Sequence, residues 1–274
     1  MKTVDSYAKG LAPAVQVVLV ASLILVFFAG IQLFVFTEYT DRFFAWTISS
    51  PLSAAFLGAA FWGTIPAFLA LWTTRGLRWA NARAGALGVI VFGTATLIAT
   101  LLHLDKFYMN AITGWVWLIV YIVVPVSGVI VTVLQSRRPE APQPPVAPMR
   151  SWARGVLFAL GGFLLLYGAG LFILPDSVGN TWPWGLTPLT ARAIAAWLLG
   201  NGAVALAVAR DGDWNNAQFL TATMVVMALL QFAALVRYPP EMTWAASIWV
   251  YAVVLFIMIG LGAYGFITAR RATR

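Results

Sequence analysis

Apolar residues come in eight long runs, each separated from the next by a short stretch that contains charge, proline, glycine or asparagine. A helix needs about 20 apolar residues to cross a hydrocarbon layer roughly 30 Å thick, and every run reaches that length. The pattern predicts spans over residues 11–36, 52–73, 84–103, 112–135, 152–174, 190–209, 217–236 and 244–268. The first run is far longer than a signal-peptide core, and no small-residue cleavage site follows it, so it is expected to be a span.

Basic residues orient these spans, because short cytoplasmic loops collect Lys and Arg. Lys2 and Lys9 precede the first span. Arg75, Arg78 and Arg83 lie between the second and third, Arg137, Arg138, Arg150 and Arg154 between the fourth and fifth, and Arg270, Arg271 and Arg274 follow the last. The other loops hold a nearly balanced set: Glu38, Asp41, Arg42, Asp105, Lys106, Asp176, Arg237 and Glu241. Both termini are therefore expected to be cytoplasmic.

Composition narrows the function classes. Only 9% of the 274 residues are charged and 61% are hydrophobic, against about 25% charged in ordinary soluble domains. That excludes a soluble enzyme, a disordered tail and a nucleic-acid module. The net charge of +8 is carried by the short clusters just named. With no cysteine and a single histidine, disulfides, thiolate chemistry and multi-histidine haem or zinc centres are excluded, and no metal or cofactor is indicated. Fourteen arginines against three lysines, with abundant alanine and glycine, fit a GC-rich bacterial genome and an inner (plasma) membrane.

The Pro-rich stretch 137–150 marks the midpoint and reads as a semi-extended cytoplasmic linker with little packing of its own. It separates two four-span units, 1–136 and 151–274, that resemble each other. Pro51, Leu52, Ser53 and Ala54 align with Pro188, Leu189, Thr190 and Ala191, and Gly63 with Gly200. After a one-residue slip, Gly30 aligns with Gly168, Phe34 with Phe172, Glu38 with Asp176 and Trp46 with Trp184. Beyond the second span of each unit no register can be set. An even number of spans per unit gives both units the same orientation, so the expected fold is all-α: eight transmembrane helices in two parallel repeats.

Paired helix interruptions at matching positions of two repeats point to a midplane binding site. Gly63, Thr64 and Pro66 occupy such a place in the second span, and Gly200, Asn201 and Gly202 in the sixth. Proline frees a carbonyl and glycine permits a bend, and the Asn201 amide needs a partner in hydrocarbon. Gln231 and Gln32 are further uncharged polar candidates. Small residues also let membrane helices pack closely, with Asn201 bonded across helices, and the two readings stand side by side.

A second candidate is a polar cluster at the outer interface: Glu38, His103, Asp105, Asp176 and Arg192. Around it Phe43, Phe44, Trp46, Trp182 and Trp184 read as headgroup-level anchors on short surface segments. Ser50 or Ser53, and Thr187 or Thr190, are placed to cap the helices that follow. Trp115, Trp117 and Tyr121 give the fourth span large polar-edged residues, followed by Pro125 and Ser127. Ser127 lies roughly 20 Å below the outer helix end at 1.5 Å per residue, out of reach of His103, which excludes a Ser–His protease pair. The segment Asp211–Asn216, DGDWNN, lacks the glycine and glutamate positions of a calcium loop and reads as a cytoplasmic turn.

The function these features favour is an integral membrane protein that binds, or lets pass, an apolar or weakly polar small molecule or lipid between its two repeats. No span carries a charged residue near its centre, which speaks against ion-coupled pumping. Two alternatives remain: a non-catalytic subunit that scaffolds other membrane-embedded proteins, and a lipid-modifying enzyme acting at the outer interface.

Overall fold

The computed structural model describes residues 13–73, 78–137 and 144–273. Lys2, Lys9, Leu11, Arg75, Arg138 and Arg274 lie outside them, as does most of the first half of the linker. Eleven α-helices follow in chain order: α1 Pro13–Gly30, α2 Thr40–Phe43, α3 Pro51–Gly63, α4 Ile65–Thr73, α5 Trp79–Leu102, α6 Ile112–Ser136, α7 Ser151–Ile173, α8 Pro175–Gly179, α9 Pro188–Asp211, α10 Trp214–Arg237 and α11 Ala246–Ala272. Eight stretches, one for each expected span, are long and apolar enough to cross a membrane. The protein is an all-helical, multi-pass membrane protein.

Local chemistry sets the boundaries. Ser50 and Thr187 cap α3 and α9, accepting from Ser53 N at 3.0 Å and Thr190 N at 3.3 Å, with proline at the first helical position of each. Two starts fall earlier than hydropathy predicts, at Trp79 and Trp214. Asn81 Oδ1 accepts from Arg78 N at 3.1 Å, and the Asp213 carboxylate accepts from Asn215 N at 2.9 Å, so polar turns that resemble loop sequence already belong to α5 and α10. Gly212, at φ +68°, ends α9 in the left-handed conformation that glycine adopts without strain.

Two expected spans are not regular helices and one expected interruption is missing. The first span leaves α1 in a wide helical turn, Ile31–Val35. There Gly30 lies flat against the Trp62 ring, whose Nε1 donates to Phe27 O at 3.0 Å. The second span breaks at Thr64, between α3 and α4, which puts Pro66 in the first turn of a new helix, where its missing N–H costs nothing. In the sixth span the expected break at Gly200, Asn201 and Gly202 does not occur: α9 runs unbroken. Glycine permits a bend but does not force one, and here it serves close packing.

The helices form two rows. In one, α1 packs on α3 and α4, these on α10, and α10 on α11; in the other, α7 packs on α9, α9 on α5, and α5 on α6. Each row therefore mixes spans from both sides of the linker. The rows meet through α5 with α10 and α3 with α9, while α1 and α6 touch only slightly at their outer edge.

Several glycines sit at close contacts between helices. Gly63 lies against Met227 and Gly200 against Phe92; Gly30 against Trp62 and Gly168 against Leu198 and Leu199; Gly128 against Ile90 and Gly262 against Val225. Tyr108 N donates to Ala45 O at 2.9 Å, and Thr243 N to Pro183 O at 2.7 Å.

The described part of the linker packs more closely than its composition suggests. Asp213, 4% exposed, accepts from Val146 N at 3.0 Å and Ala147 N at 2.9 Å, Met149 N donates to Gly212 O at 2.8 Å, and Trp214 N to Ala147 O at 2.9 Å. Residues 146–149 thus strap the α9–α10 turn. Asp211 pairs with Arg83 and accepts from Asn216 Nδ2 at 3.0 Å, so both carboxylates of this turn are engaged by protein donors.

Candidate binding cavity

Where the rows diverge, between α1 and α6, a cavity of about 510 Å³ opens. Its walls come from α1, α3, α4, α5, α6, α7, α9 and α10, with Met258 of α11, and extend from Trp79 and Trp214 at one face to Phe44 and Thr113 at the other. Phe28, Ile112 and Val116 line it and are also 57%, 78% and 47% exposed, so the cavity reaches the lipid-facing surface between α1 and α6. A second cavity of about 260 Å³ lies between α7 and α11, the corresponding gap at the other end of the rows. Leu164, Trp197, Asn201, Met227 and Met258 line both and form the wall between them.

The expected site residues divide along this wall. Thr64, Gly200 and Asn201 line the first cavity, Asn201 and Gln231 the second. Gly63 is buried against Met227. Gly202 packs on Leu165 and the Gly161 carbonyl of α7, and neither it nor Pro66 lines either cavity. Thr64 donates to Phe61 O at 2.7 Å, and Gln231 Oε1 accepts from Tyr251 OH at 2.9 Å. Among the described residues Asn201 finds only a long contact, Nδ2 to Met227 Sδ at 3.8 Å.

Tyr121 completes the first cavity. Its side chain is 3% exposed, it lines the cavity, and its hydroxyl has no hydrogen-bond partner among the described residues. The signal in sequence is a tyrosine nine residues inside an apolar span, which read there as one member of an aromatic series. The Tyr121 ring lies 5.8 Å from Phe92, and Phe92 lies 4.1 Å from Trp197, one turn before Asn201. Phe92 and Trp197 thus stand in the cavity lining with Tyr121 and Asn201.

At the aromatic face only part of the expected polar cluster assembles. Arg192 Nη1 lies 2.7 Å from His103 Nε2, and Arg192 Nε donates to Phe172 O at 3.1 Å, capping the end of α7. For the guanidinium to donate, Nε2 must be unprotonated. Burial first, and then the Arg192 charge, hold the imidazole below its ordinary range. Among the described residues, Glu38 and Asp176 are exposed and bonded to neither, and Asp105 pairs with Lys106 at 3.1 Å. Two charged groups outside the expected cluster do structural work here. Arg237 donates to Phe34 O at 2.6 Å, and Glu241 accepts from Ser50 Oγ and from Leu52 N at 3.2 Å, at the start of α3. Favourable placement of a carboxylate at a helix N-terminus and a guanidinium at a C-terminus accounts for both.

Of the expected interfacial anchors only Phe43 is exposed. Phe44, Trp46, Trp182 and Trp184 are at most 5% exposed and form two buried clusters, Phe44 and Trp46 with Trp117, and Trp182 and Trp184 with Tyr251. Trp184 Nε1 donates to Ser53 Oγ at 2.8 Å, whereas Trp46 Nε1 has no acceptor among the described residues.

No protein-family model, no curated protein and no solved structure matches the chain.

Proposed function

We propose that the chain is two parallel copies of a four-span unit, packed with their last two spans exchanged, and that the cavity between the rows binds an apolar or weakly polar molecule taken from the bilayer. The recurring contacts support the repeat. They also supply the register that the sequence loses: Trp79 with Trp214, Asn81 with Asn216, and Gly128 with Gly262. Arg83, Arg150, Arg154, Arg210, Arg270 and Arg271 gather at the helix ends opposite His103, which supports cytoplasmic termini in a bacterial inner membrane.

The observation that carries the ligand reading is Asn201. Its amide stands in the wall shared by two apolar cavities and has one long sulfur contact, a costly arrangement in hydrocarbon unless something else bonds to it. The same wall contains Met227 and Met258, whose flexible thioethers can move aside, so the reading includes passage from one cavity to the other.

Native mass spectrometry of the protein extracted gently with its own lipids tests this. The expected result is a discrete non-protein adduct that is lost in Asn201→Leu. Additional protein subunits without any adduct would replace this reading with a scaffolding one.

A further inference from the structure

The first cavity also constrains the chemistry of its occupant. We infer, resting on the binding function just proposed, that the occupant is a neutral lipid: a long hydrocarbon chain with one uncharged oxygen-bearing head, an alcohol, ketone or ester, held between Tyr121 and Asn201.

Three observations carry this. First, among the described residues no Asp, Glu, Lys, Arg or His lines the cavity. A phosphate or ammonium head placed there would be stripped of water with no opposite charge to receive it. Arg192 and Arg237 are engaged with helix-end carbonyls. Second, the cavity is not uniformly apolar. Among the described residues the Tyr121 hydroxyl makes no hydrogen bond, the Thr223 hydroxyl is buried and unpartnered, and Asn201 has only its sulfur contact. A pure hydrocarbon would leave these groups unsatisfied, whereas an oxygen-bearing head accepts from Tyr121 OH or from Asn201 Nδ2, and a hydroxyl also donates to Asn201 Oδ1. Third, the cavity runs the height of the spans and opens sideways between α1 and α6, past Phe28, Ile112 and Val116. That shape suits a chain that enters from the bilayer while its head is drawn to mid-depth. Phe92 and Trp197 provide an aromatic surface in the cavity lining.

The test uses the full chain and three photoactivatable probes with the same mid-chain diazirine: octadecanol, octadecyl phosphate and octadecane. After photolysis, labelled peptides are identified by mass spectrometry. α9 is the diagnostic element, because none of its residues from Ala191 to Ala209 is exposed. The expected result is labelling of α9 and of the Tyr121 face of α6 by the alcohol above either other probe. Tyr121→Phe and Asn201→Leu should each reduce it by roughly five- to tenfold, the factor for one lost hydrogen bond. Tyr121→Phe deletes a single oxygen and guards against misfolding of the other variant. Equal or stronger α9 labelling by the phosphate would overturn the neutral head and leave the cavity function standing. Equal labelling by octadecane, unaffected by either variant, would overturn head recognition. Labelling confined to lipid-facing residues such as Val123 and Val129, with none on α9, would overturn the inference and the binding function together.

Discussion

His103 and Arg192 show how one contact couples the aromatic face to pH. Burial and the neighbouring guanidinium depress the folded-state pKa of the imidazole, so the folded protein binds fewer protons than the unfolded chain just below the ordinary histidine value. Stability should therefore be complete above about pH 6.5 and fall as pH drops through the depressed folded value. Thermal melts between neutral and mildly acidic pH should show this fall, and His103→Asn should flatten it. A pH-independent melt of the parent chain would remove the contact from the account. Ser53 gives a second test at this scale. Ser53→Ala leaves the buried Trp184 Nε1 without an acceptor, and a destabilisation of about 1–3 kcal/mol is expected in denaturant titrations.

Among the elements, close helix approach is the sharper constraint. A Cβ on Gly63 would meet Met227 Cα at 2.8 Å, and one on Gly200 would meet the Gly88 carbonyl at 3.1 Å. Both neighbours are backbone, so Gly63→Ala and Gly200→Ala must push whole helices apart and should each cost about 1–3 kcal/mol. Gly162 and Gly260 have nothing within 4 Å, and alanine there should be neutral or stabilising by up to about 1 kcal/mol. Equal effects at all four positions would show that helix propensity, not packing, governs these glycines. The strap makes its own prediction: Asp213→Ala removes the acceptor for three backbone N–H groups, and limited proteolysis should then cut within 144–150 where the parent chain resists. These elements also show the limits of local pattern. Pro66 breaks a span because it lacks a donor, while Gly200 and Gly202 could be read as a break or as a groove, and only a facing helix decides which. The early starts at Trp79 and Trp214 are hidden because the polar ends of a membrane helix have the composition of a loop.

On the scale of the whole molecule, the linker divides the chain but not the packing, since α5 lies on α9 and α10 on α3 and α4. Residues 1–140 and 141–274 expressed as separate chains in one cell should co-purify as a folded pair. Each expressed alone should fail, because each exposes the face its partner covers. Folding of either half alone would contradict the exchanged arrangement. Eight spans were legible in the sequence because hydrocarbon thickness and backbone hydrogen bonding leave an apolar run of that length only one structure. Capping was legible to within two pairs, Ser50 or Ser53 and Thr187 or Thr190, because it depends on neighbours a few residues away, and the structure takes Ser50 and Thr187. Lateral position obeys no such rule. His103, Glu38 and Asp176 share a face by hydropathy, yet which of them meet depends on where each helix stands in its row, and the same is true of Trp46 and Trp184, whose aromatic rings suit a headgroup layer and a buried cluster equally. Apolar surface is non-directional and binds to any partner of similar shape, so the pairing of helices, and with it the cavity that Asn201 and Tyr121 line, was decided only by the tertiary structure.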